Sequence, residues 1–223
     1  MAIFKYFTDE AHALALINKG EMMLQPLSHF RAREADGVRG DPRDGILTHA
    51  PQGGLVMNMQ DGRVITLEGG SFNSSVNQND VYVYCASNQL SADLAEKFGS
   101  FCVEIPSPEI LVQRLKARAH PTSKFDYGQV VCNTVDYRKH DREPDADWAL
   151  PEKLVLIKPP EFAWQDEFRI AVGTRGTMDV ENVALAIQTG PPAPVFEKVP
   201  APIFLKLGRL NDIVTLHRFG AAH

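Results

Sequence analysis

No run of about 18 apolar residues occurs in the 223-residue chain, so no membrane-crossing helix is expected. The opening residues lack a basic segment followed by an apolar one, so no secretory signal is expected either. Cysteine is scarce: Cys85, Cys102 and Cys132 are odd in number, widely spaced and never arranged as Cys-x-x-Cys. That argues against a disulfide scaffold and a cysteine metal site, and predicts reduced, mostly buried thiols in a cytoplasmic protein. The seven histidines never fall as His-x-x-x-His or His-Glu-x-x-His, so no metal is expected. A Gly-x-Gly-x-x-Gly turn after the first strand, a Gly-x-Ser-x-Gly elbow and a Gly-Lys-Ser/Thr phosphate loop are all missing. Rossmann, hydrolase-elbow and P-loop chemistry are therefore poor fits. Positive charge is in deficit, with 23 Lys and Arg against 28 Asp and Glu, a net of -5. Broad electrostatic capture of nucleic acid is disfavoured, although a local basic groove is compatible with that balance.

What is present is an ordinary globular composition, 44% hydrophobic and 23% charged. With no internal repeat and no clean linker, residues 1–223 read as a single α+β domain. Residues 3–7 (IFKYF) form a first strand. Thr8 or Asp9 can cap a helix whose apolar stripe is Ala11, Leu14, Ala15 and Ile17, and Lys19-Gly20 closes it. Residues 21–27 are a second strand. A small meander follows at 46–49, 55–59 and 63–67, with Asp61-Gly62 as a hairpin turn, and 69–75 read as a flexible connection. The alternation in 80–87 (DVYVYCAS) is a strand. Ser91 caps a helix over 92–98, 101–105 is a strand, and 109–119 is an amphipathic helix begun by Pro108. One or two strands cover 127–137, and 138–151 is an exposed charged loop pinned by Trp148. Strands follow at 153–158, 183–187 and 202–207, with a last strand or turn in 210–217. The expected architecture is a mostly antiparallel, many-stranded sheet with two or three helices.

Two stretches carry chemistry. In FAWQDEFRIAV (162–172), Phe168, Ile170 and Val172 alternate as on a half-buried strand, which sets Glu167 and Arg169 side by side on the other face. An acid and a guanidinium held that way could grip and polarise a ligand, or could form a structural ion pair. The second stretch, 28–45, leaves the end of a strand and carries Arg31, Arg33, Arg39 and Arg43 among acids. Such guanidinium groups suit bidentate capture of phosphate or carboxylate; the alternative is a solvated loop with internal ion pairs. Asp41 and Asp44 in Gly-Asp-Pro-Arg-Asp-Gly read mainly as turn formers. Lys5 and Tyr6 on the first strand and Ser87 at the end of a middle strand complete the set. Tyr6 also fits a core aromatic and Ser87 a strand-end cap. Cys85 and Cys102 lie on apolar strands, where burial opposes a thiolate.

The opening FKYFTDEAHALALINKGEMMLQPLSHFR, then GDPRDG, VYVYCAS and WQDEFRI, resembles an uncharacterised bacterial domain family. Its members have a Lys-Tyr first strand, a Gly/Asn-Asp-Pro loop, a Cys-x-Ser strand and a late Glu-x-Arg strand. The layout also resembles the ADP-ribosyltransferase scaffold. That resemblance implies an enzyme acting on NAD, in the manner of a bacterial toxin or phage-defence effector, with a protein or nucleic acid as acceptor. It implies Glu167 as the catalytic acid residue and Ser87 as the middle-strand residue. Tyr6 or Lys5 takes the first-strand place, and Arg31 or Arg33, with Arg169, holds the NAD. This chain departs from the scaffold in having no His or Arg on the first strand. Two other readings compete. One is a non-enzymatic binding or regulatory domain whose arginine-rich loop holds an anionic ligand or protein partner. The other is metal-dependent phosphodiester chemistry by Asp41, Asp44 and Glu167. Oligomeric state is not set by the sequence.

Overall fold

The computed structural model describes residues 1–32, 38, 40–118, 120, 123–138, 143–189 and 198–220. The chain opens as strand, helix, strand: β1 (Ile3–Phe7), α1 (Glu10–Lys19) and β2 (Glu21–Pro26). The Asp9 carboxylate accepts from the Ala11 N–H at 2.8 Å and starts α1. Gly20 ends it at φ 64°, where a Cβ would lie 2.2 Å from the Gly208 carbonyl oxygen, so only glycine fits. Then come α2 (Leu27–Arg31), β3 (Ile46–His49), β4 (Leu55–Asn58), β5 (Val64–Leu67), β6 (Gly70–Ser75) and β7 (Val81–Ser87). The middle holds α3 (Ala92–Phe98), β8 (Phe101–Ile105), α4 (Pro108–Lys116), β9 (Val131–Thr134) and β10 (Asp136–Tyr137). The chain closes with α5 (Pro151–Leu154), β11 (Ile157–Lys158), β12 (Glu167–Gly173), β13 (Ala184–Thr189), β14 (Ile203–Lys206) and β15 (Thr215–Arg218). The fold is α+β, as the sequence implies.

An eight-stranded sheet organises the molecule, and β7 is its hub. Along one edge β7 pairs antiparallel with β12 over its whole length, from Glu167–Ser87 to Gly173–Val81. Its other edge is shared. β2 pairs at one end through Gln25–Val83 and Pro26–Tyr82, and β1 touches the other end only at Phe4–Ser87. Both strands run antiparallel to β7, so they would collide if continued; instead they splay apart and leave a V opposite residues 84–86. One face of the sheet packs Ile3, Tyr84, Ile170 and Val172 against Leu16 of α1 and Leu111 and Leu115 of α4. On the other face Val83 and Ala171 pack with Leu27, Trp148 and residues 154–157.

Several segments differ from the sequence reading, among them Leu27–Arg31, which is the helix α2 rather than the end of a strand and the start of a loop. Residues 69–75 are no flexible connection: β6 pairs with β3 on one side and β13 on the other. The stretch 153–158 is not a strand throughout. Pro151 at the first helical position begins a single turn, and the strand is confined to Ile157–Lys158. A short run buried on all sides has no periodicity to separate helix from strand. Trp148 does pin its charged loop, buried and stacked on Phe72 with ring centroids 5.6 Å apart.

Candidate functional site

β12 presents Glu167 and Arg169 to the same face, as period-2 alternation requires. The Arg169 guanidinium is fully buried and engaged at all three of its nitrogens. It donates from Nε to Glu167 Oε1 at 2.6 Å, from Nη1 and Nη2 to the two Asp44 oxygens at 2.7 and 2.8 Å, and from Nη1 to the Val155 carbonyl at 2.9 Å. The second Glu167 oxygen accepts from Lys158 Nζ at 2.7 Å. Two cations and two anions thus balance one another in the interior. Burial alone would push the Glu167 carboxyl up; the adjacent Arg169 and Lys158 charges outweigh it and hold the group well below the usual carboxylate range.

The partners of Glu167 arrive on a separate small ladder. β10 and β11 pair in parallel with Tyr137 opposite Lys158. From there the Tyr137 hydroxyl accepts the Glu167 backbone N–H at 2.8 Å, while Lys158 reaches the carboxylate. Lys158 also donates to Gln165 Oε1 at 3.1 Å, and Gln165 Nε2 donates to the Val38 carbonyl at 2.8 Å. Just before the strand, Asp166 adopts a left-handed φ of 41°. Its carbonyl accepts from the Asn88 backbone at 2.7 Å and its carboxylate from the Asn88 amide at 3.0 Å. This turn fixes where Glu167 leaves the backbone.

Glu167 and Lys158 border a pocket of about 410 Å³ that enters the V between β1 and β2. Aromatic rings from β1, α2 and α3 (Phe4, Phe30 and Phe98) contribute to its wall. Lys5 reaches into the V, where its ammonium donates to the Cys85 carbonyl at 2.7 Å and lies 4.7 Å from the centre of the Tyr84 ring. It supplies a donor where the splayed strands leave this part of β7 without a neighbour.

The structure brings four of the sequence-predicted residues, Lys5, Tyr6, Ser87 and Glu167, to this one pocket. All four are engaged, Lys5 with the Cys85 carbonyl, Glu167 with its two cations and the two hydroxyls with backbone groups. The Ser87 hydroxyl donates to the Gln165 carbonyl at 2.9 Å and accepts from the Gln89 N–H at 3.2 Å. The Tyr6 hydroxyl donates to the Gln89 carbonyl at 2.9 Å and accepts from the Ser91 N–H at 2.7 Å, and burial pushes its pKa up to about 12. Arg169 was expected at the ligand; it lies beneath the pocket instead, with its donors taken by Asp44, Glu167 and Val155, and it holds Glu167 in place. Arg31 was expected there too. It does not line the pocket: its Nε donates to the Pro42 carbonyl at 2.9 Å and its Nη1 to Gln78, so it ties the loop down. Arg33 lies outside the described residues. Burial pushes the Cys85 thiol up to about 12, with the Glu167 charge adding to it, so it is no nucleophile.

Sequence reasoning missed Lys158, Gln165 and the inward turn of the Gly-Asp-Pro-Arg-Asp-Gly loop. Asp44 is fully buried on Arg169, and Asp41 is 1% exposed with Oδ2 unpartnered among the described residues. Burial, with the Asp44 charge adding to it, pushes the Asp41 carboxyl up to about 6. Lys158, the last residue of an apolar run, was the available signal, because a lysine buried in a strand needs an anion. Asp44 and Glu167 are bridged by a guanidinium rather than opened toward a cation. Among the described residues no group of three or more His, Cys, Asp or Glu side chains is arranged to hold a metal ion, and no helix is long and apolar enough to cross a membrane. No family model matches the chain, and no curated protein or solved structure matches it either.

Proposed function

We propose that this protein is an ADP-ribosyltransferase-like enzyme that cleaves the bond between nicotinamide and ribose in NAD and passes the ADP-ribosyl group to a protein or nucleic-acid acceptor. The observation that carries this is Glu167, an ionised carboxylate held by two cations at the wall of a pocket that several aromatic rings also line. A carboxyl locked in its charged form cannot donate a proton, so it suits a reaction whose leaving group needs none. Nicotinamide in NAD is a pyridinium. When its bond to C1′ breaks, the electron pair neutralises the ring nitrogen and nicotinamide departs unprotonated. Positive charge then develops on the ribose, where a fixed anion is most effective. An ordinary glycoside, whose leaving oxygen needs an acid, fits this site less well. Each carboxylate oxygen keeps a further acceptor site beyond its ion pair, available to a ribose hydroxyl. An acceptor nucleophile then attacks C1′ and releases its own proton.

The test is chromatography of nicotinamide after incubating the protein with millimolar NAD and cell-extract acceptors, with NAD affinity measured by calorimetry. Glu167→Gln is expected to lower release by about 10²–10³-fold while NAD still binds. Wild-type protein that neither binds NAD nor releases nicotinamide overturns the proposal. The binding-domain alternative draws less support, because Asp41 and Asp44 of the arginine-rich loop turn inward and Arg31 is committed to the loop itself.

A further inference from the structure

We infer that the pocket wall made by β2 and β14 is a seat for a 6-aminopurine base, with Phe204 and Met23 as the stacking platform and the Gln25 carboxamide reading the base edge; this rests on the NAD reading above.

Three observations converge. Phe204 and Met23 are directly paired across β14 and β2, both line the pocket, and they are 67% and 42% exposed. Scattered exposed apolar residues need no explanation, but two side by side at a pocket mouth form a flat platform suited to a planar ring. Gln25, two residues further along the same face of β2, also lines the pocket. Its Oε1 is buried and has no hydrogen-bond partner among the described residues, and its Nε2 reaches only the Met23 sulfur, at 3.8 Å. A buried amide oxygen left unpaired is costly, so one opening onto a pocket points to a donor that a ligand supplies. A carboxamide offers an acceptor and a donor side by side. We place the N7 edge of the base on that carboxamide: there adenine offers its amino donor beside the N7 acceptor, whereas a 6-oxopurine presents two acceptors and leaves one carboxamide group unmatched.

The third observation is spacing. Gln25 pairs with Val83 and Glu167 with Ser87, so the two lie four residues apart along β7, about 13 Å at strand rise. Lys5 meets the Cys85 carbonyl, midway between them. Base platform, ammonium and carboxylate therefore fall in the order base, pyrophosphate, ribose, a span that two nucleotides cover and one nicotinamide ribonucleotide does not.

The test compares AMP with IMP by calorimetry on the full chain, and nicotinamide release from NAD with release from its hypoxanthine analogue. Wild type is expected to bind AMP about tenfold or more tighter than IMP, and Gln25→Leu to erase that preference. Phe204→Ala should weaken both nucleotides alike, by about tenfold, through lost stacking. Both side chains are partly exposed and outside the core clusters, so the substitutions leave folding intact. Equal affinity for AMP and IMP in wild type, or a preference that survives Gln25→Leu, overturns the seat. The two proposals fail separately. AMP binding with this dependence but no nicotinamide release keeps the seat and removes the activity; release that is indifferent to the base keeps the activity and removes the seat.

Discussion

The two faces of β12 solve the same packing problem with opposite chemistry. On one, Phe168, Ile170 and Val172 enter an apolar core under α1 and α4. On the other, between Phe168 and Ile170 along the same backbone, Arg169 is equally buried but surrounded by carboxylates. The apolar face gains its stability without directional demands. The charged face recovers a desolvation cost because each nitrogen of the Arg169 guanidinium finds an acceptor, and it holds one carboxylate ionised at a pocket wall. Stability alone does not explain such an arrangement, since well-packed apolar side chains often do as well.

That contrast can be broken, most severely at Arg169. Arg169→Met leaves Asp44 and Glu167 buried without their shared cation and is expected to cost about 3–5 kcal/mol by denaturant unfolding. Replacing Asp44, Lys158, Glu167 and Arg169 together with apolar residues should recover most of that loss while nicotinamide release disappears. A quadruple variant as unstable as the single one would show that the charges are needed for the fold itself. On the apolar face, Ile170→Ala should cost about 2–4 kcal/mol through its cavity, with no change in the pH dependence of stability.

Asp41 sharpens the comparison through pH. Its folded pKa of about 6 lies above its ordinary value of 3.8, so the folded state binds the proton more tightly than the unfolded chain does. That contribution is fully present below about pH 4 and is lost as pH rises through 6, with a ceiling of about 3 kcal/mol. Glu167 has the opposite sign: its contribution is present above the ordinary carboxylate range and declines as pH falls below it. Asp41→Asn should flatten the decline between pH 4 and 6 in a series of thermal melts. Activity should show no acid limb from Glu167 in that interval. The smallest effect belongs to the surface. Arg218 and Glu10 approach to 2.6 Å, but their side chains are 59% and 37% exposed, so Arg218→Ala should change stability by less than about 1 kcal/mol.

Local signals were legible where a side chain answers to its neighbours in sequence. β1, α3 and β8 fall where alternation, Ser91 and the strand pattern set them, and Glu167 with Arg169 is visible as a same-face pair. The partners were not legible, because Asp44 and Lys158 reach that pair through tertiary pairing that no local pattern encodes. An Asp-Pro-Arg-Asp-Gly segment looks like a solvated turn until the strand it crosses is known to carry a buried arginine. β6 was missed for a related reason: a Gly-Ser-Asn segment has little strand propensity, and pairing on both edges overrides it.

The bond between Asp44 and Arg169 closes 125 residues of chain. Contacts of such separation form late, because loop closure must be met before they can reward it. On the ribosome the second strand and its loop emerge long before β12, so the nascent chain carries Asp44 before the buried arginine that receives it exists. The pocket therefore comes into being only when the late strand docks, and no ligand can seat in it until β12 has been made and folded.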